Sequence, residues 1–423
     1  MKNFLITLIL ITFATIFYQC KKQEENQLVT QENTEPRFDS INWFEAAKFK
    51  SISSKDLSFY RQSIQAFYDE NWASQPVSAG LLVAKDGKII FERYSGYADV
   101  ERGDTLTEQT PLHIASVSKV MTSLVILKLV EHERLALDQT VKSILPSFPY
   151  PDITVRHLLN HRSGLPNYYN VIDELKLGEF RATQISNDDV LRLFAEHDVP
   201  QLSPTNTKFS YSNTNFALLA LVIEKLTQKS YPEAMDYMLF KPLGMSQTFV
   251  FEFDKHQNFV SSSYGFGGKK WEWDHLDKVY GDKNIYSTPR DIYRMDYAMY
   301  SDKFLPKKLL KEAFSGYSYE SKGVKNYGLG FRMMEYDNGN KFLYHNGWWH
   351  GNYSVYVHDP KHHVAIIALG NRQNRKIYDA FSLVSIFSDD YPISMKIKDS
   401  VTVASKIKQK EQRDSLITNK KVQ

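Results

Sequence analysis

The stretch that most constrains the fold runs from Val120 to Val130, where Val120, Met121, Leu124, Val125, Ile126, Leu127, Leu129 and Val130 leave almost no polar face. A helix this apolar has to be buried on nearly every side, so the chain must build a core deep enough to enclose it. With 423 residues it is long enough to do so, as one large domain or two ordinary ones. Immediately ahead of the run stands Ser116-Val-Ser-Lys119. On a helix, positions i and i+3 share a face, so the lysine amine reaches the serine hydroxyl. At the N-terminal end of a buried helix, free N–H groups and the positive end of the dipole favour an alkoxide or oxyanion. Burial and the same positive field favour the neutral amine that a base requires. Serine and lysine also fall at this spacing by chance in many helices, so the pair needs partners from elsewhere in the chain.

The surrounding pattern predicts the architecture. A first helix is expected to include Asp56 to Trp72, and Gly80 to Arg93 holds two apolar runs around Asp86-Gly87, a strong hairpin signal. The middle of the chain is mainly helical with long loops, its helices including Asp188 to Glu196 and Asn215 to Gln228. Strands return late: Asn340 to His345, then Tyr353 to His358 and Val364 to Leu369 as a hairpin around Asp359-Pro-Lys-His-His363. Strands at both ends with helices between them imply an α+β fold. Its antiparallel sheet is formed by N- and C-terminal strands, flanked by helices, with a mostly helical subdomain inserted.

Lys2 precedes an apolar stretch from Phe4 to Tyr18, followed by Cys20 and the charged run Lys21 to Glu25. Fifteen residues are too few for an ordinary membrane span and suit a signal peptide. Cys20 is the only cysteine, so no internal disulfide forms. Its place resembles a bacterial lipoprotein signal, with Gln19 and Phe17 departing from the usual pattern. Lipidation at Cys20, ordinary secretion and an uncleaved anchor all export the protein, and the first gives a lipoprotein held on the membrane of a bacterial cell envelope. The expected organisation is a signal over 1–20, a tether over 21–40, a folded domain over 41–390 and a basic tail over 391–423. From Lys396 onward the tail has eight Lys or Arg against three Asp or Glu, a balance of +5. It reads as solvated, with contact to anionic lipid or cell-wall polymer as the alternative. A net charge of +3 over the whole chain gives no reason to expect nucleic acid.

Two further motifs follow the Ser-x-x-Lys pair. Tyr211-Ser212-Asn213 is expected in a loop before the helix near Asn215, and His345-Asn346-Gly347 at the end of a strand over Phe342 to Tyr344. Together the three resemble the active-site motifs of the serine β-lactamase and penicillin-binding protein superfamily, in its class C-like branch with Tyr-x-Asn in the middle. Gly96-Tyr-Ala-Asp99, Ile153 to Pro166, Lys241 to Met245, Tyr286 to Asp291 and Tyr327-Gly-Leu-Gly-Phe331 also look like the family's connecting sequence, so the resemblance runs from about residue 75 to 385. It implies the β-lactamase/transpeptidase-like fold and a serine hydrolase that forms an acyl-enzyme on Ser116. Lys119 and Tyr211 then share proton transfer, Asn213 holds substrate, and the backbone N–H groups of Ser116 and Trp348 stabilise the oxyanion. Loss of one such donor costs about 3–4 kcal/mol of transition-state stabilisation. Gly347 lets the strand edge approach the substrate. His345 stands where β-lactamases carry lysine to bind the substrate carboxylate, and histidine is neutral for much of the time near pH 7. The resemblance therefore points to D-amino-acid peptidases, carboxypeptidases and esterases ahead of β-lactamases, with a penicillin-binding sensor that acylates without turnover as a further alternative. The substrate is a small molecule or peptide, and the oligomeric state is open.

His157 and His161 lie at i and i+4, but Leu-Leu-Asn separates them without the glutamate of a zinc-binding H-E-x-x-H, so they read as structural. No metal and no cofactor are implied. His362 and His363, in a turn, are expected to be exposed. Of Trp348 and Trp349, at least one is expected to line the pocket, whereas Trp271 and Trp273 are open between lid and core.

Overall fold

In the computed structural model, which describes residues 47–73, 77–389 and 391–394, the first helix runs over Ser54–Tyr68 (α1). Ser53 starts it by accepting a bond from the Asp56 N–H. The helix does not continue to Trp72 as expected, because Asp69–Ala73 widens into a π-type turn that buries Trp72 against the sheet. β1 (Ala79–Lys85) and β2 (Lys88–Ser95) make the predicted hairpin. Asp86 and Gly87 turn it at φ values of 45° and 75°, the left-handed pair that suits a two-residue connection.

The remaining strands of this sheet come from the other end of the chain: β3 (Lys325–Tyr327), β4 (Arg332–Glu335), β5 (Lys341–Trp349), β6 (Asn352–Asp359) and β7 (Val364–Gly370). They form one seven-stranded sheet in the order β2-β1-β7-β6-β5-β4-β3, every neighbouring pair antiparallel. β1 lies against β7 in continuous register, Ala79 opposite Gly370 and Lys85 opposite Val364. The two ends of the described chain therefore close one sheet, as the pattern predicts.

β6 is buried along its whole length because both faces are covered. Val355 and Val357 join Ile64 and Phe67 of α1 and Leu383 of the 3₁₀ segment Arg375–Ile386 in one core. The alternate residues face the other way. The Tyr356 hydroxyl donates to Asp296 Oδ1 at 2.8 Å, and His358 Nδ1 lies 2.8 Å from the same oxygen. Asp296 belongs to the helix Pro289–Ala298 (α5); the apolar helix, Ser118–Glu131 (α2), buried at every position from Ser118 to Leu129, packs on Asn213–Thr227 (α4), which in turn packs on Asn187–Glu196 (α3). A small second sheet escapes sequence reading because each outer strand has two residues: Leu112–His113 and Phe249–Val250 flank Ile285–Ser287.

The turn histidines differ from expectation. His362 and His363 are half-buried and lie 2.7 Å from Asp359 and 2.9 Å from Asp86, so carboxylates hold them against the hairpins. No helix among the described residues is long and apolar enough to cross a membrane. Cys20, the tether and the tail beyond residue 394 lie outside the described residues.

Candidate active site

Ser116 occupies a single 3₁₀ turn, Ala115–Val117, that runs straight into α2. Ala115 just before it has φ 48°, a left-handed backbone that costs an L-residue roughly 1–2 kcal/mol. The surroundings enforce it. His113 Nδ1 accepts the Ala115 N–H at 3.1 Å, the Ile114 N–H donates to the Ile285 carbonyl, and Ser354 Oγ donates to the Ile114 carbonyl at 2.6 Å. Strain of this kind is found where surrounding structure fixes a reactive group.

Lys119 is fully buried, and its Nζ lies 3.1 Å from Ser116 Oγ while donating to the Asp282 carbonyl at 2.6 Å. From the other side the Tyr211 hydroxyl reaches Ser116 Oγ at 3.0 Å. The nucleophile candidate thus touches an amine and a phenol at once. Burial raises the Tyr211 phenol, but the charges of Lys119 and Arg332 and the bond to Ser116 outweigh it and hold the phenol below its ordinary range.

Tyr211 is positioned by what lies behind it. The His161 ring packs on it, centroids 4.3 Å apart, and His161 Nδ1 accepts the Ser212 N–H at 3.2 Å and faces Asn215 Nδ2 at 3.1 Å. Burial, then the charges of Lys119 and Arg332, keep His161 neutral. It sits beyond the short helix Val155–Leu159, with φ 56°, whereas His157 Nδ1 caps that helix by accepting the Thr154 N–H. The two histidines therefore do separate structural work. Asn213 is the first residue of α4 and not part of a preceding loop. Its N–H donates to Asn167 Oδ1 at 2.6 Å, and its own Oδ1 is buried without a partner, an acceptor left for a substrate N–H.

The third motif lies inside β5 rather than at a strand end. β4 pairs with β5 only as far as Arg332 opposite Tyr344, so β5 continues through His345 to Trp349 with β6 alone as its strand partner. Period two puts His345, Gly347 and Trp349 on one face. At Gly347 an added Cβ would lie 2.6 Å from the Ile114 carbonyl oxygen and 2.9 Å from Ala115 Cβ, so this glycine brings the strand against the turn that carries Ser116. Trp349 donates from Nε1 to Asp277 at 2.8 Å, while Trp348, pointing to the other face of the strand, is 55% exposed.

His345 is completely buried. Burial first, then the charges of Arg332 and Lys119, push its pKa well below the usual histidine value. Nδ1 lies 2.8 Å from the Asn346 carbonyl and Nε2 3.1 Å from the Tyr327 hydroxyl, which fits a neutral ring donating at one nitrogen and accepting at the other. The permanent cation comes from Arg332, whose guanidinium carbon sits 4.6 Å from the Tyr211 ring centroid and 5.7 Å from that of Tyr327. Sequence reading did not single out Arg332, Asp282, His161 or Tyr327 for the site. Tyr327 and His161 had a signal, since they lie in the Tyr327-Gly-Leu-Gly-Phe331 and Ile153 to Pro166 stretches matched to the family; Arg332 falls just beyond the first of these, and Asp282 had no signal because it contributes a main-chain carbonyl. Among the described residues, Asp274, Asp277 and His350 could approach one ion, but Asp277 already accepts from Trp349 and from the Asp274 N–H.

The fold and this site define a serine hydrolase of the β-lactamase and penicillin-binding protein superfamily. The sequence profile of the Beta-lactamase family matches residues 64–381, and the chain belongs to that family. It is 28% identical over 343 residues to a penicillin-binding protein of Bacillus subtilis, covering 75% of this chain and 73% of the relative. With the teichoic acid D-alanine hydrolase of Staphylococcus aureus it shares 23% identity over 356 residues, 83% of each chain. A penicillin binding protein from Bacillus halodurans superposes with a TM-score of 0.67 at 23% identity, over 76% of this chain and 99% of that one.

Proposed function

We propose that the protein is an exported hydrolase that cleaves an amide or ester of a D-amino acid through an acyl-enzyme on Ser116. The observation that carries this is the placement of Ser116 Oγ within 3.1 Å of Lys119 Nζ and 3.0 Å of the Tyr211 hydroxyl. The Tyr211 phenolate, favoured by Lys119 and Arg332, takes the serine proton as Oγ bonds to the substrate carbonyl carbon. The N–H groups of Ser116 and Trp348 receive the oxyanion. Tyr211 then passes the proton to the leaving nitrogen or oxygen as its bond to carbon breaks, and water repeats the sequence to free Ser116.

The kinship with a hydrolase named for D-alanine supports the acyl class. Asn213 Oδ1, buried and unpartnered, suits the amine or amide N–H that such a group carries. Arg332 supplies the fixed charge that His345 lacks, so a carboxylate or phosphate beside the scissile bond is favoured. The apolar segment ending at Cys20 supports export, with lipidation as its most specific form.

Ser116→Ala and Lys119→Ala are each expected to abolish hydrolysis of p-nitrophenyl acetate while leaving the circular dichroism spectrum and melting transition of a folded protein. Wild-type turnover in either variant would sink the mechanism. A fluorescent acyl probe separates the sensor alternative: a hydrolase loses the label from Ser116 with time, a sensor keeps it.

A further inference from the structure

We propose that a second cavity, walled by Trp271, Trp349 and Asn352, binds one polyhydroxylated unit, a sugar ring or a polyol, of the molecule that carries the scissile bond; this rests on the hydrolase reading above. The cavity measures about 300 Å³ and lies between the tip of the β5–β6 hairpin, the loop over 257–273 and the buried pair His113 and Tyr286. The loop is packed firmly on the hairpin tip, since a Cβ at Gly351 would lie 2.3 Å from the Tyr264 carbonyl oxygen. Trp273 anchors the loop from inside by stacking on Phe251 at 5.0 Å, while Trp271 lies against His350 at 5.2 Å and stays 42% exposed at the mouth.

Two contacts tie this cavity to the chemistry. Its His113 holds the strained Ala115 N–H beside Ser116. Its Trp349 follows Trp348, whose N–H faces the oxyanion in the proposed mechanism, and shares a strand face with His345 and Gly347. A molecule bound there is attached naturally to one whose carbonyl lies at Ser116.

The lining selects the ligand. Its cations are engaged within the protein: Arg102 pairs with Asp99 at 3.1 Å and Asp104 at 2.7 Å, and Lys270 lies 3.7 Å from Asp99; His350 lies 3.3 Å from Asp277, and the carboxylate of the lining, Glu272, is exposed. His113 is bonded at both nitrogens, to Asn284 and Ala115. The rest of the lining is indole surface and neutral polar groups, among them Gln257, Asn258, Ser263 and Asn352, the last 4% exposed with an Oδ1 that has no partner. A buried amide oxygen left unpaired loses the hydrogen bonds it makes in water, so the cavity calls for an O–H or N–H donor. An anion would meet guanidinium and ammonium groups already paired, and a hydrocarbon would leave Asn352 unsatisfied. A hydroxyl-bearing carbon skeleton meets both demands, its C–H surface on the indoles and a hydroxyl on Asn352.

Isothermal calorimetry on the full chain tests this with N-acetylglucosamine and glycerol as probes and D-alanine and inorganic phosphate as comparisons. Saturable binding of one polyhydroxylated probe in the millimolar range is expected, weakened at least about tenfold in Trp271→Ala and in Asn352→Ala, each checked for an intact melting transition. Preference for N-acetylglucosamine assigns a glycan unit, and preference for glycerol a polyol. Absence of saturable heat from both, unchanged affinity in Trp271→Ala, or tighter binding of D-alanine or phosphate overturns the assignment. Ser116-dependent hydrolysis of p-nitrophenyl acetate is measured in parallel. Hydrolysis without probe binding removes the cavity assignment alone, whereas probe binding without hydrolysis removes the hydrolase reading and the cavity's place in it.

Discussion

At Tyr211 burial and charge pull in opposite directions, and the direction of the phenol's shift shows that charge prevails. Lys119 already bonds Ser116 and the Asp282 carbonyl, which leaves Arg332 as the cation that both supports a phenolate and faces the site from β4. Arg332→Gln removes the charge and keeps a polar side chain of similar reach. Two consequences follow, and different readouts separate them. The phenol loses part of what lowers it, so the limb on which kcat/KM rises with pH should move to higher pH for every substrate, p-nitrophenyl acetate included. Substrates with a carboxylate beside the scissile bond also lose a charged hydrogen-bond partner, about 1.5–3 kcal/mol or roughly tenfold to a hundredfold in kcat/KM. A comparison of D-alanyl-D-alanine with D-alanine amide isolates that second loss. Equal losses on the two substrates would remove Arg332 from carboxylate recognition.

The strand β5 performs at element scale what sequence reading assigned to a strand end. Glycine and polar residues normally terminate a strand, so His345-Asn346-Gly347 looked like its limit; the structure runs on to Trp349 because the glycine lies where the turn that carries Ser116 crosses the strand. The start of α4 was misplaced for a related reason. Ser212 makes no capping bond to the helix, and the Asn213 N–H is satisfied by Asn167, a partner 46 positions away that no local signal reveals. Gly347→Ala tests the close approach. Its Cβ would meet the Ile114 carbonyl and Ala115 Cβ, neither of which can swing aside, so β5 and the 3₁₀ turn must separate. Overpacking of this kind costs about 1–3 kcal/mol. The expected result is a lowered melting temperature together with a kcat loss of at least about tenfold, because the proposed oxyanion donors lie on the two parts being pushed apart. Wild-type kcat in a folded Gly347→Ala protein would show that strand and turn need not touch.

Over the whole molecule, what could be read in advance was local in origin. The Asp86-Gly87 turn, the period-two strands and the saturated apolar run of α2 each announce themselves within a few residues, and together they implied the two-ended sheet. The three motifs, of which the structure brings Ser116, Lys119 and Tyr211 within hydrogen-bond reach, were equally legible through their resemblance to a family. The environment that tunes them was not, because it is assembled from residues 161, 282, 327 and 332, and burial among distant partners leaves no mark on a sequence. That buried environment makes a prediction about the entire fold. Burial holds His113 at about 4 against an ordinary 6.5, and pushes His161 and His345 well below 6.5 as well. Each is neutral in the native state and takes up a proton on unfolding once the pH drops below 6.5, so the unfolded state binds more protons and stability falls as the pH falls. For His113 the stability present above pH 6.5 is lost progressively down to about pH 4, where the native ring also protonates. At roughly 1.4 kcal/mol per unit, that interval is worth roughly 3 kcal/mol for this one residue. Urea unfolding between pH 7 and 4 should therefore show His113→Gln, whose amide can still accept from Ala115 and donate to Asn284, losing stability less steeply than the wild type. Parallel pH curves for the two proteins would mean that His113 does not set the acid sensitivity of the turn that carries Ser116.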